Sequence, residues 1–371
     1  MSTTTLEATK AEEPKYEYFF KDGHWDNKRA ILTGDNAVET FDEIPVVDIA
    51  GIFSDSFEER LRVAQEIAII CKEVGFMYIK NHGVPQELVD EIFEVSRQYH
   101  ALPLEDKMAD YVFKSETLRG YDIHYTNTPN GVVQKKGSFL YSYDCDKDPE
   151  PPKLTPEQRA LCVGQHNRFP VNQPHFKEVL EEYQKQMMIL ARRMMKTFAL
   201  GLGAEETYFD STVTAPYTSI LLNYYPPQAP DGDDPESLVA HSDFETFTIL
   251  SQDMLGGLEV LNRNGIYIPA KPMHGTFVVN VGDFLQRISN DIFVSTVHRV
   301  RNLTSFERYS IPFFFSFNMD VEIPVLPCCT SVENPPKYGP RNLNEYTAQR
   351  RKNQRKKHDE ALKNGTLEAI L

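Results

Sequence analysis

Residues 218–225 read TSILLNYY, 247–253 FTILSQD, 257–262 GLEVLN, 276–281 TFVVNV and 308–317 RYSIPFFFSF. Each run is short and rich in β-branched and aromatic side chains, which suit a pleated, half-buried surface. Turn signals separate them, among them Gly256-Gly257 and Asn264-Gly265. So many short strands within about 100 residues predict a sandwich or barrel of the jelly-roll kind.

Ahead of these runs the pattern turns helical. Phe176, Leu180, Tyr183, Met187, Leu190, Met194 and Phe198 recur at steps of three and four. They predict one long helix from Pro174, ended by Gly201 or Gly203. Its Met and Phe stripe is read as core packing. Phe57, Leu61, Ala64, Ile67 and Cys71 predict a helix over Ser56–Glu73, and residues 86–101 predict another. IPVVDIA (44–50) and GFMYIK (75–80) read as strands, the second closed by Asn81-His82-Gly83-Val84-Pro85. Residues 114–173 are rich in Tyr, Pro and Asp and are expected to be loop-heavy.

Composition excludes several classes of function. Of the 371 residues, 41% are hydrophobic and 25% charged, as in ordinary soluble domains. No run of about 18 apolar residues exists to span a bilayer. The formal net charge of -15 excludes nucleic-acid binding through a global basic surface. Five cysteines make no disulfide framework. Residues 2–14 are small, polar and acidic, and are expected to be a disordered lead. With no charged and apolar signal pattern before them, the expected location is the cytoplasm. Near the C-terminus, Arg350, Arg351, Lys352, Arg355, Lys356 and Lys357 read as a solvated helix face rather than a localisation signal. Asn302 and Asn364, each in an N-x-T triplet, are read as chance matches.

Three side chains stand out chemically. His241 and Asp243 form an H-x-D pair, and in an extended segment residues i and i+2 point the same way. His298 lies 55 residues after Asp243, room for several strands to cross and return. Two His and one carboxylate on one face of a metal, with three positions open, is the arrangement of non-haem Fe(II) oxygenases. Ten histidines make a chance H-x-D common, so the pair gains weight from Arg308-Tyr309-Ser310. A guanidinium in an apolar strand needs an anionic partner, and it grips a carboxylate through two parallel hydrogen bonds. Ser310 shares its strand face, and Asn223 and Tyr225 likewise alternate onto one face. Among the other histidines, His82 is read as a structural hydrogen-bonder, and His274 and His358 as surface residues. His124 and His166 fall in the variable middle.

The ordered motifs resemble the iron- and 2-oxoglutarate-dependent dioxygenases of the isopenicillin N synthase-like branch. They are Asn223-Tyr224-Tyr225-Pro226-Pro227, HSDFETFTILSQD, Gly256-Gly257-Leu258-Glu259-Val260, VNVGDFLQRISN (279–290), STVHRV and RYS. The front half is similar too, through IPVVDIA, GFMYIKNHGVP and Asn167-Arg168-Phe169-Pro170. The resemblance spans about residues 44–320. It implies a mainly β core, a double-stranded β-helix (jelly roll), with an N-terminal α/β cap and flanking helices. It implies an N-terminal extension (1–43), a cap (44–173), a supporting helix (174–212), a catalytic core (213–320) and a helical C-terminal segment (321–371). It makes His241, Asp243 and His298 the iron ligands, and Arg308 and Ser310 the holders of the distal carboxylate of 2-oxoglutarate. Tyr225 and Asn223 match further cosubstrate contacts. The implied requirements are Fe(II), 2-oxoglutarate and O2, with ascorbate in support. The implied reaction is oxidation of an unactivated C–H bond of a small molecule by hydroxylation, desaturation, ring formation or ring expansion.

Substrate-facing candidates are Tyr121, Phe139, Tyr141 and Phe314. Many relatives carry Lys-Glu after the Gly-Tyr of the cap, whereas here Lys135-Lys136-Gly137-Ser138 follows, so substrate contacts do not transfer. Two other readings remain at this stage. One is an oxidase of the same fold that does without 2-oxoglutarate, and the other is a non-catalytic jelly-roll binding protein. A zinc hydrolase would need a general base, for which Glu245 is the nearby candidate.

Overall fold

Hydrophobic alternation along the back half builds two facing sheets, and the helical front half covers one of them. In the computed structural model the described residues are all except 1–14, 22–23, 129–130, 151–152, 164–166, 172, 229–235, 303, 364 and 366–371. The strands are β1 (Lys15–Lys21), β2 (His24–Ile31), β3 (Val46–Asp48), β4 (Phe76–Lys80), β5 (Gly120–Thr128), β6 (Gly131–Ser142), β7 (Pro216–Tyr225) and β8 (Glu236–His241). They continue as β9 (Phe247–Gln252), β10 (Leu258–Leu261), β11 (Tyr267–Pro269), β12 (Thr276–Val281), β13 (His298–Arg301) and β14 (Arg308–Asn318), with a short pair, β15 (Glu322–Ile323) and β16 (Arg341–Asn342). The helices are α1 (Phe57–Glu73), α2 (Gln86–His100), α3 (Leu104–Ala109), α4 (Pro156–Val163), α5 (Pro174–Gly201), α6 (Asp283–Ile288) and α7 (Leu343–Lys363).

The larger sheet runs β3-β4-β12-β9-β14-β7-β6-β5, and the smaller β11-β10-β13-β8-β1-β2. This is the expected jelly-roll layout, with pairing almost wholly antiparallel; β3 beside β4 is a parallel exception. Residues 114–173 depart from expectation. They hold the β5–β6 hairpin, which extends the large sheet, and α4. β1 and β2, within the expected extension, lengthen the small sheet. Residues 2–14, expected to form a disordered lead, and His166 and Asn364 lie outside the described residues.

Period-two alternation gives the large sheet two unlike faces. Outward go Met77 and Ile79, Phe277 and Val279, Phe247 and Ile249, Ile311 and Phe313, Ile220 and Leu222, with Phe139 and Tyr141. These pack on the α1, α2 and α5 stripes through residues such as Ile67, Ile92, Tyr183, Met187 and Phe198. Each fully buried apolar side chain there contributes about 1.5–3 kcal/mol. Ser56 caps α1, its hydroxyl accepting from the Glu59 N–H at 3.4 Å. The Arg192 guanidinium of α5 grips Asp148 through two 2.7 Å bonds, and the Asn167 side chain brackets the Ser142 backbone at 2.8 and 2.7 Å. Inward go Phe76, Tyr78, Val278 and Tyr225, which meet Leu258, Val260 and Val300 of the small sheet.

The basic run does more than face solvent. Arg350 lies over the Phe244 ring at 4.3 Å, Arg355 donates to the Ser115 and Glu116 carbonyls, and His358 stacks on Phe113 at 3.8 Å. α7 therefore straps the loop that follows β8. His358 is a docked residue, not the free surface residue that was expected. Asn302 is 2% exposed and bonded to the Pro226 and Phe306 carbonyls, as a chance N-x-T match allows.

His100 makes the fold sensitive to acid. Its ring is 5% exposed, and Nε2 donates to the Leu222 carbonyl at 2.9 Å, since a carbonyl only accepts. Burial pushes its pKa down to about 4. An unfolded histidine titrates near 6.5, so the neutral ring's contribution is present above pH ~6.5 and is lost as pH falls toward 4. That loss is on the order of 3 kcal/mol. Urea unfolding of the wild type should weaken more between pH 7 and pH 4.5 than that of His100→Gln; equal pH dependence would refute the assignment.

Candidate active site

His241 ends β8, Asp243 sits in the connection that follows, and His298 opens β13. The two histidines are register partners across β8 and β13. Their Nε2 atoms each lie 3.7 Å from Asp243 Oδ1, with ring centroids 4.2 Å apart. All three donor atoms fall within 4.8 Å of one another.

Backbone and side-chain contacts aim these atoms. His241 Nδ1 lies 2.8 Å from the Val239 carbonyl and His298 Nδ1 3.1 Å from that of Thr296. Each carbonyl can only accept, so Nδ1 carries the hydrogen and the Nε2 lone pair points at the centre. Asp243 Oδ2 accepts from Thr248 Oγ1 at 2.6 Å and Asn280 Nδ2 at 2.8 Å, leaving Oδ1 for a cation. Burial opposes the Asp243 charge, but His298, His241 and these two hydrogen bonds together hold its carboxyl below the usual range. Burial and then His298 lower the His241 imidazole. Neutral imidazoles beside a carboxylate are what a divalent transition metal binds. Burial raises Glu245 to about 8, unlike the ionised base that a zinc hydrolase would use.

Gly282 sets the approach of α6 to this connection. A Cβ there would stand 2.1 Å from the Glu245 carbonyl oxygen, so only glycine lets the Asp283 N–H reach the Asp243 carbonyl at 2.7 Å. Sequence reasoning missed Thr248 and Asn280. The available signal was Asn280 alone among the apolar residues of TFVVNV. Thr248→Val and Asn280→Ala are each expected to weaken iron(II) binding by about 10–100-fold with the fold intact. Metal titration checks this, and unchanged affinity in both would contradict it.

On the inner face of the large sheet, Arg308 pairs in register with Tyr225, and Ser310 with Asn223. Arg308 is 1% exposed, its guanidinium 4.7 Å from the Tyr225 ring centroid. Its Nε donates to the Gly256 carbonyl, while Nη1 is buried without a partner. Gly257, at φ +96°, keeps clear space beside it: a Cβ there would meet the Arg301 carbonyl at 2.5 Å. Ser138 donates to Asn223 Oδ1 at 2.7 Å, and Asn223 Nδ2 donates to Ser310 Oγ at 3.4 Å. A buried cation with a spare donor, next to hydroxyls and an amide, suits a carboxylate.

The aromatic candidates divide. Phe314 pairs with Thr248 and so shares the inner face with Ser310. Tyr121, Phe139 and Tyr141 belong to the helix-packed side instead. Tyr121 and Phe139 lie edge-on to Tyr99, and Tyr141 meets Phe169. The registers explain the difference: Ser138 pairs with Asn223, so its neighbour Phe139 pairs with Leu222 and points away. His82 packs on Phe277 at 4.1 Å and its Nδ1 accepts from the Val84 N–H, a structural role. His124 is exposed and pairs with Asp122.

Family comparisons agree with this geometry. The 2OG-Fe(II) oxygenase superfamily model matches residues 217–317, and the model of the N-terminal region of non-haem dioxygenases in morphine synthesis matches residues 44–160. A 2-oxoglutarate-Fe(II) type oxidoreductase, ppzC, of Metarhizium majus is 40% identical over 314 residues, 80% of this chain and 83% of that protein. The chain belongs to the 2-oxoglutarate- and iron(II)-dependent oxygenases. A homoarginine-6-hydroxylase of Oryza sativa subsp. japonica is 32% identical over 78% of this chain and 90% of its own. A Neurospora crassa protein, solved in complex with 2-oxoglutarate and 5-formyluracil, superposes with a TM-score of 0.71 at 28% identity, covering 84% of this chain and 97% of that one. As in the rest of this family, Fe(II), 2-oxoglutarate and O2 are the reactants around which the oxygenase is built. Among the described residues no helix is long and apolar enough to cross a membrane.

Proposed function

We propose that His241, Asp243 and His298 hold the iron of this oxygenase, and that Arg308, with Ser310, Tyr225 and Asn223, holds 2-oxoglutarate. The observation that carries the reading is a pair of complementary features on the two facing sheets. Three donors converge where β8 meets β13, and the unpartnered Nη1 of buried Arg308 stands on the inner face of the large sheet. Iron with 2-oxoglutarate and O2 supplies the oxidation of an unactivated C–H bond, giving succinate and CO2. The chain supplies position and exclusion of water. Thr248 and Asn280 orient Asp243, the two backbone carbonyls orient the imidazoles, and Arg308 sets the cosubstrate's direction. Phe314 is the substrate-facing residue of β14, and α7 packs on Phe244, next to Asp243, through Tyr346 and Arg350.

We read residues 44–173 as the cap and 213–320 as the catalytic core. The substrate is a small organic molecule of specialised metabolism; the ppzC and homoarginine-6-hydroxylase relatives support that scale of substrate. The five cysteines are free, which suits the cytoplasm, and the acidic surface gives nucleic acid no purchase. O2 uptake on a substrate panel with Fe(II) and ascorbate, with and without 2-oxoglutarate, tests the reading. Succinate formed in step with product supports it. Turnover that ignores 2-oxoglutarate would instead make the chain an oxidase of the same fold.

A further inference from the structure

Lys136 stands on the inner face of the large sheet beside Tyr225 and Arg308. Gly137 pairs with Tyr224, and Tyr225 pairs with Arg308, so Lys136, Tyr225 and Arg308 lie in one row across β6, β7 and β14. The Lys136 ammonium is 6.0 Å from the Tyr225 ring centroid, where the Arg308 guanidinium is 4.7 Å. The two cations therefore bracket one phenol. Lys136 is 6% exposed. Among the described residues it has no hydrogen bond or ion pair. Asp122, on the neighbouring strand, gives its Oδ2 to His124 at 3.1 Å, and Lys136 is a lesser influence on its charge.

A lysine held at a buried position with no ion-pair partner is costly. An apolar residue would serve the sheet better, unless an anion enters. We propose that Lys136 is a second carboxylate-holding cation of this inner face, working across Tyr225 from Arg308. The inference rests on the reading of Arg308 as the cosubstrate anchor. The ligand chemistry is a carboxylate, owned either by 2-oxoglutarate or by an acidic organic substrate lying against it. Lysine suits a shared position here, because a compact charge on a flexible stem follows an anion that a rigid guanidinium would fix.

Lys136→Met keeps the aliphatic stem and removes the charge. Wild type and variant, both loaded with manganese(II), are titrated without O2, first with 2-oxoglutarate and then, once saturated, with benzoate as a monocarboxylate probe. Affinity for one of these should fall about tenfold or more, with manganese affinity unchanged and recovery in Lys136→Arg. Weaker 2-oxoglutarate binding assigns the lysine to the cosubstrate. Weaker benzoate binding alone assigns it to an acidic substrate. Unchanged 2-oxoglutarate affinity without Lys136-dependent benzoate binding overturns the inference. A wild type that binds neither manganese nor 2-oxoglutarate defeats the proposed function itself, a distinguishable failure. Lys136→Gln replaces the Met variant if thermal unfolding shows that the latter does not fold.

Discussion

Asp243→Ala is expected to abolish iron(II) binding and turnover together while the protein stays folded. Asp243 Oδ1 is the one anionic atom shared by both imidazoles, 3.7 Å from each Nε2. Without it, two imidazole rings face each other with no carboxylate between them. They lack the charge that offsets the cost of taking a divalent ion out of water. Substitutions one layer further out typically cost about 10–100-fold in affinity, so loss of the ligand itself should exceed that range. The fold should survive, because Asp243 lies in a connection outside both helix-packed and inter-sheet cores. Thr248 and Asn280 lose an acceptor, a cost of about 1–3 kcal/mol each at most if no water replaces it. Metal titration beside thermal unfolding separates the two effects. Wild-type iron affinity in the variant would remove the triad from the account.

The second large effect is on the inner face of the large sheet. Arg308→Ala should raise the 2-oxoglutarate concentration needed for half-maximal turnover by about 30-fold or more, with iron affinity unchanged. Truncating one partner of a buried, hydrogen-bonded charge pair costs about 2–5 kcal/mol, and each 1.4 kcal/mol is tenfold. Arg308→Lys should recover only part of this, because an ammonium cannot reproduce the paired N–H geometry or the stack on Tyr225. A loss in iron binding of the same size would mean that Arg308 supports the fold rather than the cosubstrate.

The fold was legible where local pattern and tertiary role coincide. The α5 stripe, the Ser56 cap and the strands carrying the motifs are set by side chains a few residues apart. The convergence of His241, Asp243 and His298 was legible because two of the three are neighbours in sequence. What was lost depends on register. Whether Tyr121, Phe139 and Tyr141 face the inner side of the sheet or the helices is decided by pairing of β5, β6 and β7, and a shift of one residue reverses the answer. The same parity conceals Lys136, a surface charge by composition and an inner-face residue only once Gly137 meets Tyr224. The β5–β6 hairpin was hidden by its Tyr and Asp content, although an Asn130-Gly131 turn signal marked it. Thr248 and Asn280 are ordinary strand residues until the connection at Asp243 brings its carboxylate between them.

A crystal structure of the protein with manganese(II) and 2-oxoglutarate, prepared without O2, tests the central claim most directly. The account predicts a single metal bound by His241 Nε2, Asp243 Oδ1 and His298 Nε2, with the distal carboxylate of 2-oxoglutarate on Arg308 and Ser310. A metal held by other residues, or 2-oxoglutarate turned away from Arg308, would contradict it.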